Sequence, residues 1–468
     1  MSLSTPIPVE QDGAPIMSLP VEMVLLICEH LDTTDMASFR QANKHLFARI
    51  DPHYLRRMFG TVTSNLSASS FQRLETIASS RAAVHVNTLS IQPSGMRMPR
   101  AIGAGMKWDR ENMATDTTQT GGTLTLQRIL GKLVNCTNFR ICQNAPIVVR
   151  DIPLSSDLVI SDVAYLVSLI CARLDRQYTS FTLVIPYGRC NTRGITALAE
   201  MNSHPNSPGT SLRIWENLNR LRLSFHYHRA IQSTFVARLL SFASKLKVLK
   251  LGAHGPEGGA LLRELCSSPL FHSTFELTEL HLSGQKESPD AQTINGADLA
   301  SLLLRHRNTL RVLVFANLRL VSRDSAAVPE GGEWQHVLQT LITNPFSLRH
   351  IGFITAEEKR PGTEHNLFVT LAWSAGIYTL PGQVQPLLRT PILSRRSQSL
   401  AREGVWMPHM SFSYNGEQMR LALQKLAEFL FLWASDRHGG IQYNEAWLRI
   451  GPDVSRDARP LGDHQPST

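Results

Sequence analysis

One short pattern recurs along most of the chain and limits how it can fold. L-x-x-L-x-L is clearest at Leu218–Leu221–Leu223, Leu246–Leu249–Leu251, Leu277–Leu280–Leu282 and Leu310–Leu313–Phe315. Weaker copies are Val86–Leu89–Ile91, Cys136–Phe139–Ile141 and Leu348–Ile351–Phe353, and Phe181–Leu183–Ile185 fits without the leading leucine. The copies follow one another at steps of 28 to 50 residues. The last two apolar positions of each copy alternate as in a half-buried strand. Between copies lie helix-like stretches, Leu124–Leu133, Val163–Leu174, Phe235–Ser244, Leu261–Cys266, Leu299–Leu304 and Trp334–Leu341. A strand-then-helix unit of this size cannot bury its apolar face alone, so neighbouring units must stack. The expected class is α/β: a curved β/α solenoid of seven or eight irregular units.

This array resembles leucine-rich repeats. It departs from them in its long, uneven steps and in mostly lacking the asparagine or cysteine after the third apolar residue. Strand alternation also assigns a second face. If the leucines point inward, the residues between and beside them point outward. That outward set is Arg140, Arg220, Arg222, Lys250, His281 and His350. Arg222, Lys250 and His281 fall at equivalent positions of consecutive copies and should form one row. Arginine forks match carboxylate and phosphate geometry, so the row is expected to bind an acidic or phosphorylated protein target.

The N-terminal region reads differently. Residues 18–59 predict three short helices. Pro20 suits a first helical turn, Val24, Ile27 and Leu31 make an apolar stripe, and Asp32 can cap a second helix. Met36, Phe39 and Asn43 are assigned to one face of that helix. The third helix carries Leu46, Phe47 and Ile50 and is expected to end at Pro52. A core of forty residues is marginal by itself.

The segment resembles the F-box. Leu19, Pro20, Glu22, Leu25, Ile27, Leu31, Asp32 and Asp35 follow the family pattern in order. Arg40, Asn43 and Lys44 match the R-x-x-N-K stretch of fungal members, and Met23 stands where leucine is preferred. The resemblance covers about a tenth of the chain. It implies docking of a Skp-type adaptor, which joins a cullin scaffold in an SCF-type ubiquitin ligase, with Leu19, Pro20, Glu22, Leu25, Ile27 and Leu31 carried over as adaptor-binding positions. It also implies a non-catalytic substrate receptor located in cytoplasm, nucleus or both. An F-box scaffold acting outside a ligase and a binder of nucleic acid or other acidic ligands are the alternatives.

The remaining features set boundaries. The expected organisation is a disordered lead over 1–17, the F-box over 18–59 and a connector over 60–85 with one helix, Ser70–Ser79. The repeat array follows over 86–355, then a capping region over 356–450 and a disordered tail over 451–468. Within the cap, Glu417–Trp433 is expected to be a helix and Ile441–Ile450 a strand. Irregular stretches at 93–122, 202–211 and 381–411 read as loops. No P-loop, G-x-S-x-G or H-E-x-x-H spacing occurs, and His226 and His228 lack further ligand partners nearby in sequence. No cofactor and no metal are expected. The formal net charge of +9 is dispersed, and aromatic residues are only 7% and not interleaved with basic ones, which disfavours a nucleic-acid platform. Cys28, Cys136, Cys142, Cys171, Cys190 and Cys266 form no C-x-x-C pair and suggest a reduced, intracellular chain. No apolar run of 18 residues suggests a membrane span.

Overall fold

The structure is a computed structural model that describes residues 15–93, 102–108, 121–143, 158–185, 193–203, 213–227, 229–255, 257–267, 275–284, 294–321, 333–354, 357–359, 368–373, 411–428 and 430–435. Residues 1–14 of the lead, the tail, most of the three loops, His228, Cys190 and the Ile441–Ile450 expectation lie outside these residues, and the end of the lead expected to be disordered forms a short 3-10 helix, Pro15–Ser18. The chain divides into two compact units, Met1–Ala145 with Arg150–Ile160, and Pro146–Val149 with Ser161–Thr468.

The first unit opens with three helices, α1 (Val21–His30), α2 (Thr33–Gln41) and α3 (Lys44–Phe59). Asp32 caps α2, its carboxylate accepting from the amides of Thr34 and Asp35 at 2.8 Å each. Val24, Cys28, Met36, Leu46 and Ile50 form the core, with Met17, Leu19, Leu31, Phe39 and Tyr54 packed against it. Asn43 does not belong to α2. It is the N-cap of α3, its side-chain oxygen accepting from His45 N at 2.8 Å. Nor does α3 stop at Pro52, which lies exposed within it. An interior proline costs a helix roughly 3 kcal/mol, but the turn beyond it places Tyr54 on the core and buries Leu55. Asp51, just before the proline, pairs with Arg40 at 2.9 Å and Arg81 at 3.1 Å. The Arg40 guanidinium lies 4.6 Å from the Phe47 ring centre and 4.4 Å from that of Tyr54, an arrangement favoured by the ring quadrupole.

A parallel sheet follows in the same unit: β1 (Thr61–Ser64), β2 (Thr88–Ile91) and β3 (Asn138–Cys142), in that order. The helices α4 (Ala68–Ala78) and α5 (Gly121–Lys132) occur between the strands. The connector expected over 60–85 thus contains a strand ahead of the first leucine-pattern copy. Its sequence, TVTS, has only one apolar residue, so alternation does not reveal it.

The second unit continues the strand–helix alternation through β4 (Ser180–Val184), β5 (Arg220–His226), β6 (Val248–His254), β7 (Glu279–Ser283), β8 (Val312–Ala316) and β10 (His350–Ile354), all parallel and in that order. A further strand, β9 (Arg319–Val321), lies in a separate sheet. The helices are α6 (Ile160–Arg173), α7 (Arg193–Ser203), α8 (Ala230–Phe242), α9 (Gly258–Ser267), α10 (Gly296–Arg305) and α11 (Glu333–Thr343). Each pattern copy acts in the same way. The leading leucine, such as Leu246, Leu277 or Leu310, is buried just before the strand, and the next two, such as Leu249 and Leu251, are buried from within it. Aromatic side chains fill wider gaps: Trp215 meets Tyr178 and Phe181 edge-on, and Trp334 meets Phe315 and Phe353 likewise. Backbone pairing begins one residue ahead of the strands, through Thr278 N to Lys247 O, Arg311 N to Thr278 O and Arg349 N to Arg311 O, each 2.8 Å.

At the far edge, β13 (Ser411–Asn415) pairs antiparallel with β10, and α12 (Met419–Glu428) follows it. The second sheet has the order β14–β12–β11–β9, adding β11 (Glu357–Lys359), β12 (Phe368–Trp373) and β14 (Leu430–Ser435). The expected helix over Glu417–Trp433 is therefore corrected. It ends at Glu428, and Leu430–Ser435 pairs antiparallel with β12. The reason is in the sequence. Residues 429–433, FLFLW, are apolar at every position and rich in aromatics, which suits a strand better than one face of a helix.

Candidate interaction surfaces

In the first unit, the N-terminal helices settle where each adaptor-binding candidate lies. Leu19 and Leu31 pack on the small core, Leu25 and Ile27 are half-buried, and Pro20 and Glu22 are exposed. The Arg49 guanidinium donates to Leu19 O at 3.0 Å, and Arg57 donates to Cys28 O at 2.9 Å. Both bonds tie α3 to the ends of α1. The large apolar side chains left in water are others: Val21, Met23 and Leu26 of α1, at 39, 48 and 49% exposure, and Met58 of α3 at 39%. A helix advances 100° per residue, so Met23 and Leu26 fall near one another and away from the buried Val24 and Cys28. That wheel arithmetic is the signal that pattern matching overlooked.

Arg140 also belongs to this unit. It is exposed on β3, in register with Ser90 of β2, which is in turn in register with Thr63 of β1.

In the second unit, the outward sheet face mixes charged and polar residues with valines. Register places Thr182, Arg222, Lys250, His281, Val314 and Gly352 in one lateral row. A second row runs Ser180, Arg220, Val248, Glu279, Val312, His350. Arg222, Lys250 and His281 are thus adjacent, as strand alternation requires, and Arg220 and His350 share their face. Arg220 and Arg222 are exposed, while Lys250, His281 and His350 are half-buried.

The row is not uniformly basic. Glu279, two residues before His281 on the same face, places Oε1 2.5 Å from Lys250 Nζ and 2.7 Å from His281 Nε2. Partial burial would raise the Glu279 carboxyl, but its hydrogen bond to Lys250 and the charges of Lys250 and His281 hold it below the ordinary carboxylate value. Burial, with the Lys250 charge and a smaller effect of His350, lowers the His281 imidazole, against the pull of Glu279. The signal for Glu279 was available, since a strand period of two puts it beside the very residues chosen.

Farther along the strands, His226 and His254 are in register at the ends of β5 and β6. His254 Nε2 lies 3.2 Å from Ser224 Oγ. Burial, and then the His226 charge, push the His254 ring down to about 4 despite a backbone hydrogen bond with Gly284. A neutral, hydrogen-bonded histidine of this kind is a packing element. Among the described residues no group of three or more metal-ligating side chains comes together, and Cys28, Cys136, Cys142, Cys171 and Cys266 are buried free thiols. No helix among these residues is long and apolar enough to cross a membrane.

Comparison with protein-family models finds no match to this chain, and comparison with curated proteins finds none either.

Proposed function

We propose that this chain is a non-catalytic substrate receptor of an SCF-type ubiquitin ligase. Residues 18–59 are read as an F-box that docks a Skp-type adaptor and, through it, a cullin scaffold. The parallel strands and their helices are read as an irregular leucine-rich-repeat-like solenoid that holds a target protein near the ubiquitin-carrying enzyme. The contribution to catalysis is proximity. One observation carries the reading: a segment following the F-box pattern from Leu19 to Lys44 forms three helices around five buried side chains while leaving Val21, Met23 and Leu26 exposed. Exposed apolar groups on so small a core favour a permanent partner. The outward face of the array, with Arg220, Arg222 and Lys250, supports a target with acidic groups.

The test is reconstitution. The full chain is co-expressed with adaptor and with adaptor plus cullin, and the complexes are separated by size. A complex containing all three proteins supports the ligase receptor. A stable pair that excludes cullin supports a scaffold outside a ligase. Absence of any adaptor complex contradicts both.

A further inference from the structure

On the reading of the outward sheet face as the target surface, we infer that Glu279 is a built-in counter-ligand that occupies the Lys250–His281 subsite, so that the face receives an acidic protein segment through Arg220 and Arg222.

The argument starts from geometry. One carboxylate oxygen of Glu279 serves both Lys250 and His281, at 2.5 and 2.7 Å. Those are the distances of charge-assisted hydrogen bonds, and they place that oxygen where an incoming carboxylate would bind. The three side chains keep only 26 to 34% of their exposure, so the pair is partly screened from water and competes with any guest. The position is also fixed by covalent structure: Glu279 and His281 are alternate residues of one strand, and His281 is directly across from Lys250. The local carboxylate therefore acts at high effective concentration, as any tethered ligand does.

One strand away, the situation is reversed. Arg220 and Arg222 are alternate residues of β5 and both are exposed. Neither has an acidic partner among the described residues. Ser180 and Thr182 of β4 are in register with them, adding two hydroxyl groups beside the guanidinium forks. Two forks about 7 Å apart along the strand suit successive acidic side chains of an extended segment. The face is thus polarised across three strands: free cations on β5, Lys250 between, and a satisfied carboxylate on β7. Charge complementarity favours an acidic protein segment lying over β4 and β5, extending onto β6 only where it displaces Glu279.

The test uses the full-length chain and a fluorescein-labelled octaglutamate peptide, read by fluorescence anisotropy at low salt. Glu279→Gln keeps the side-chain size and removes its charge. It should tighten binding about 1.5- to fivefold, the range expected for one partly screened ion pair. Arg220→Ala with Arg222→Ala should weaken binding by at least a comparable factor, and Glu279→Gln should no longer tighten binding when Lys250→Ala is also present. Unchanged affinity in Glu279→Gln, no effect of the double arginine variant, or no binding by either wild type or Glu279→Gln would overturn the inference. So would a labelled single-stranded oligonucleotide that binds the wild type more tightly than the peptide. Adaptor capture is measured on the same proteins, so failure of the receptor reading appears there and not in the peptide titration.

Discussion

The N-terminal helices and the strands of the second unit solve the same problem in opposite ways. In the second unit every pattern leucine is buried, and the outward sheet face carries Arg220, Arg222, Lys250 and His281 beside the half-buried Val248, Val312 and Val314. In the three-helix segment the core cluster is five side chains, Leu55 is buried beside it, and Val21, Met23, Leu26 and Met58 remain outside. Stacked repeats supply one another with apolar surface, whereas a short helical segment exhausts its own before its apolar residues are covered. The first surface is suited to charged ligands and the second to an apolar partner. Stability should therefore be set mainly by the array and by the salt bridge that anchors α3, while the exposed residues of α1 should matter to binding alone.

The largest effect on folding is expected inside the array. Leu280 is fully buried at the centre of the second unit's sheet. Leu280→Ala should cost about 2–5 kcal/mol, a transfer term plus a cavity, seen as a marked fall in the thermal midpoint of the full chain. A change within error would mean that the strand is not held as described.

Acid should come next. Burial lowers His254 and His306 from 6.5 to about 4, the first also by the His226 charge and the second also by Arg305. A histidine depressed in the folded state binds its proton more readily when unfolded, so the stability it contributes is present above pH 6.5 and is lost as pH falls towards 4. Thermal midpoints should therefore decline over that interval. His306→Gln should flatten part of the decline, and an unchanged slope would remove His306 from the cause.

Asp51→Ala tests the other region. The Asp51 carboxylate is nearly enclosed between Arg40 and Arg81. Its removal leaves the largely buried Arg40 guanidinium without that partner, at a cost of about 3 kcal/mol. Limited proteolysis should then cut within residues 18–59 first, with the array protected. Simultaneous cleavage of both regions would contradict their separate stabilities.

Sequence and structure agree best where a physical signal was periodic. The strands of the leucine pattern, and the helices between them, fall where alternation and helical spacing place them, because packing between repeats demands that order of residues. The failures lie where local pattern competes with something else. The strand Thr61–Ser64 has little apolar content, and its place depends on pairing with Thr88–Ile91. Pro52 signals a helix end, but side chains beyond it are needed by the core. The all-apolar run Phe429–Trp433 already favours a strand by itself, but it continues the helical spacing of the residues before it, and its partner at Phe368–Trp373 decides the outcome. At the candidate surfaces, the basic row and the place of Glu279 beside it were legible from the strand period, whereas its ion pairs with Lys250 and His281 were not, since they depend on which neighbours its side chain reaches. At the N-terminus, the F-box-like pattern drew attention to Leu19, ahead of α1, which packs inward, and away from Met23 and Leu26 of α1, which do not.

The smallest expected effect on stability accompanies the largest on binding. Met23→Lys with Leu26→Lys replaces exposed side chains and should shift stability by no more than about 0.5 kcal/mol per site. Titration of purified Skp-type adaptor into the full chain, wild type against this double variant, is the most direct measurement of the proposed role. Wild type is expected to form a one-to-one complex, and the double variant to bind at least tenfold more weakly while keeping its thermal midpoint. Failure of the wild type to bind adaptor, or equal binding by the variant, would contradict the assignment of α1 as the docking surface.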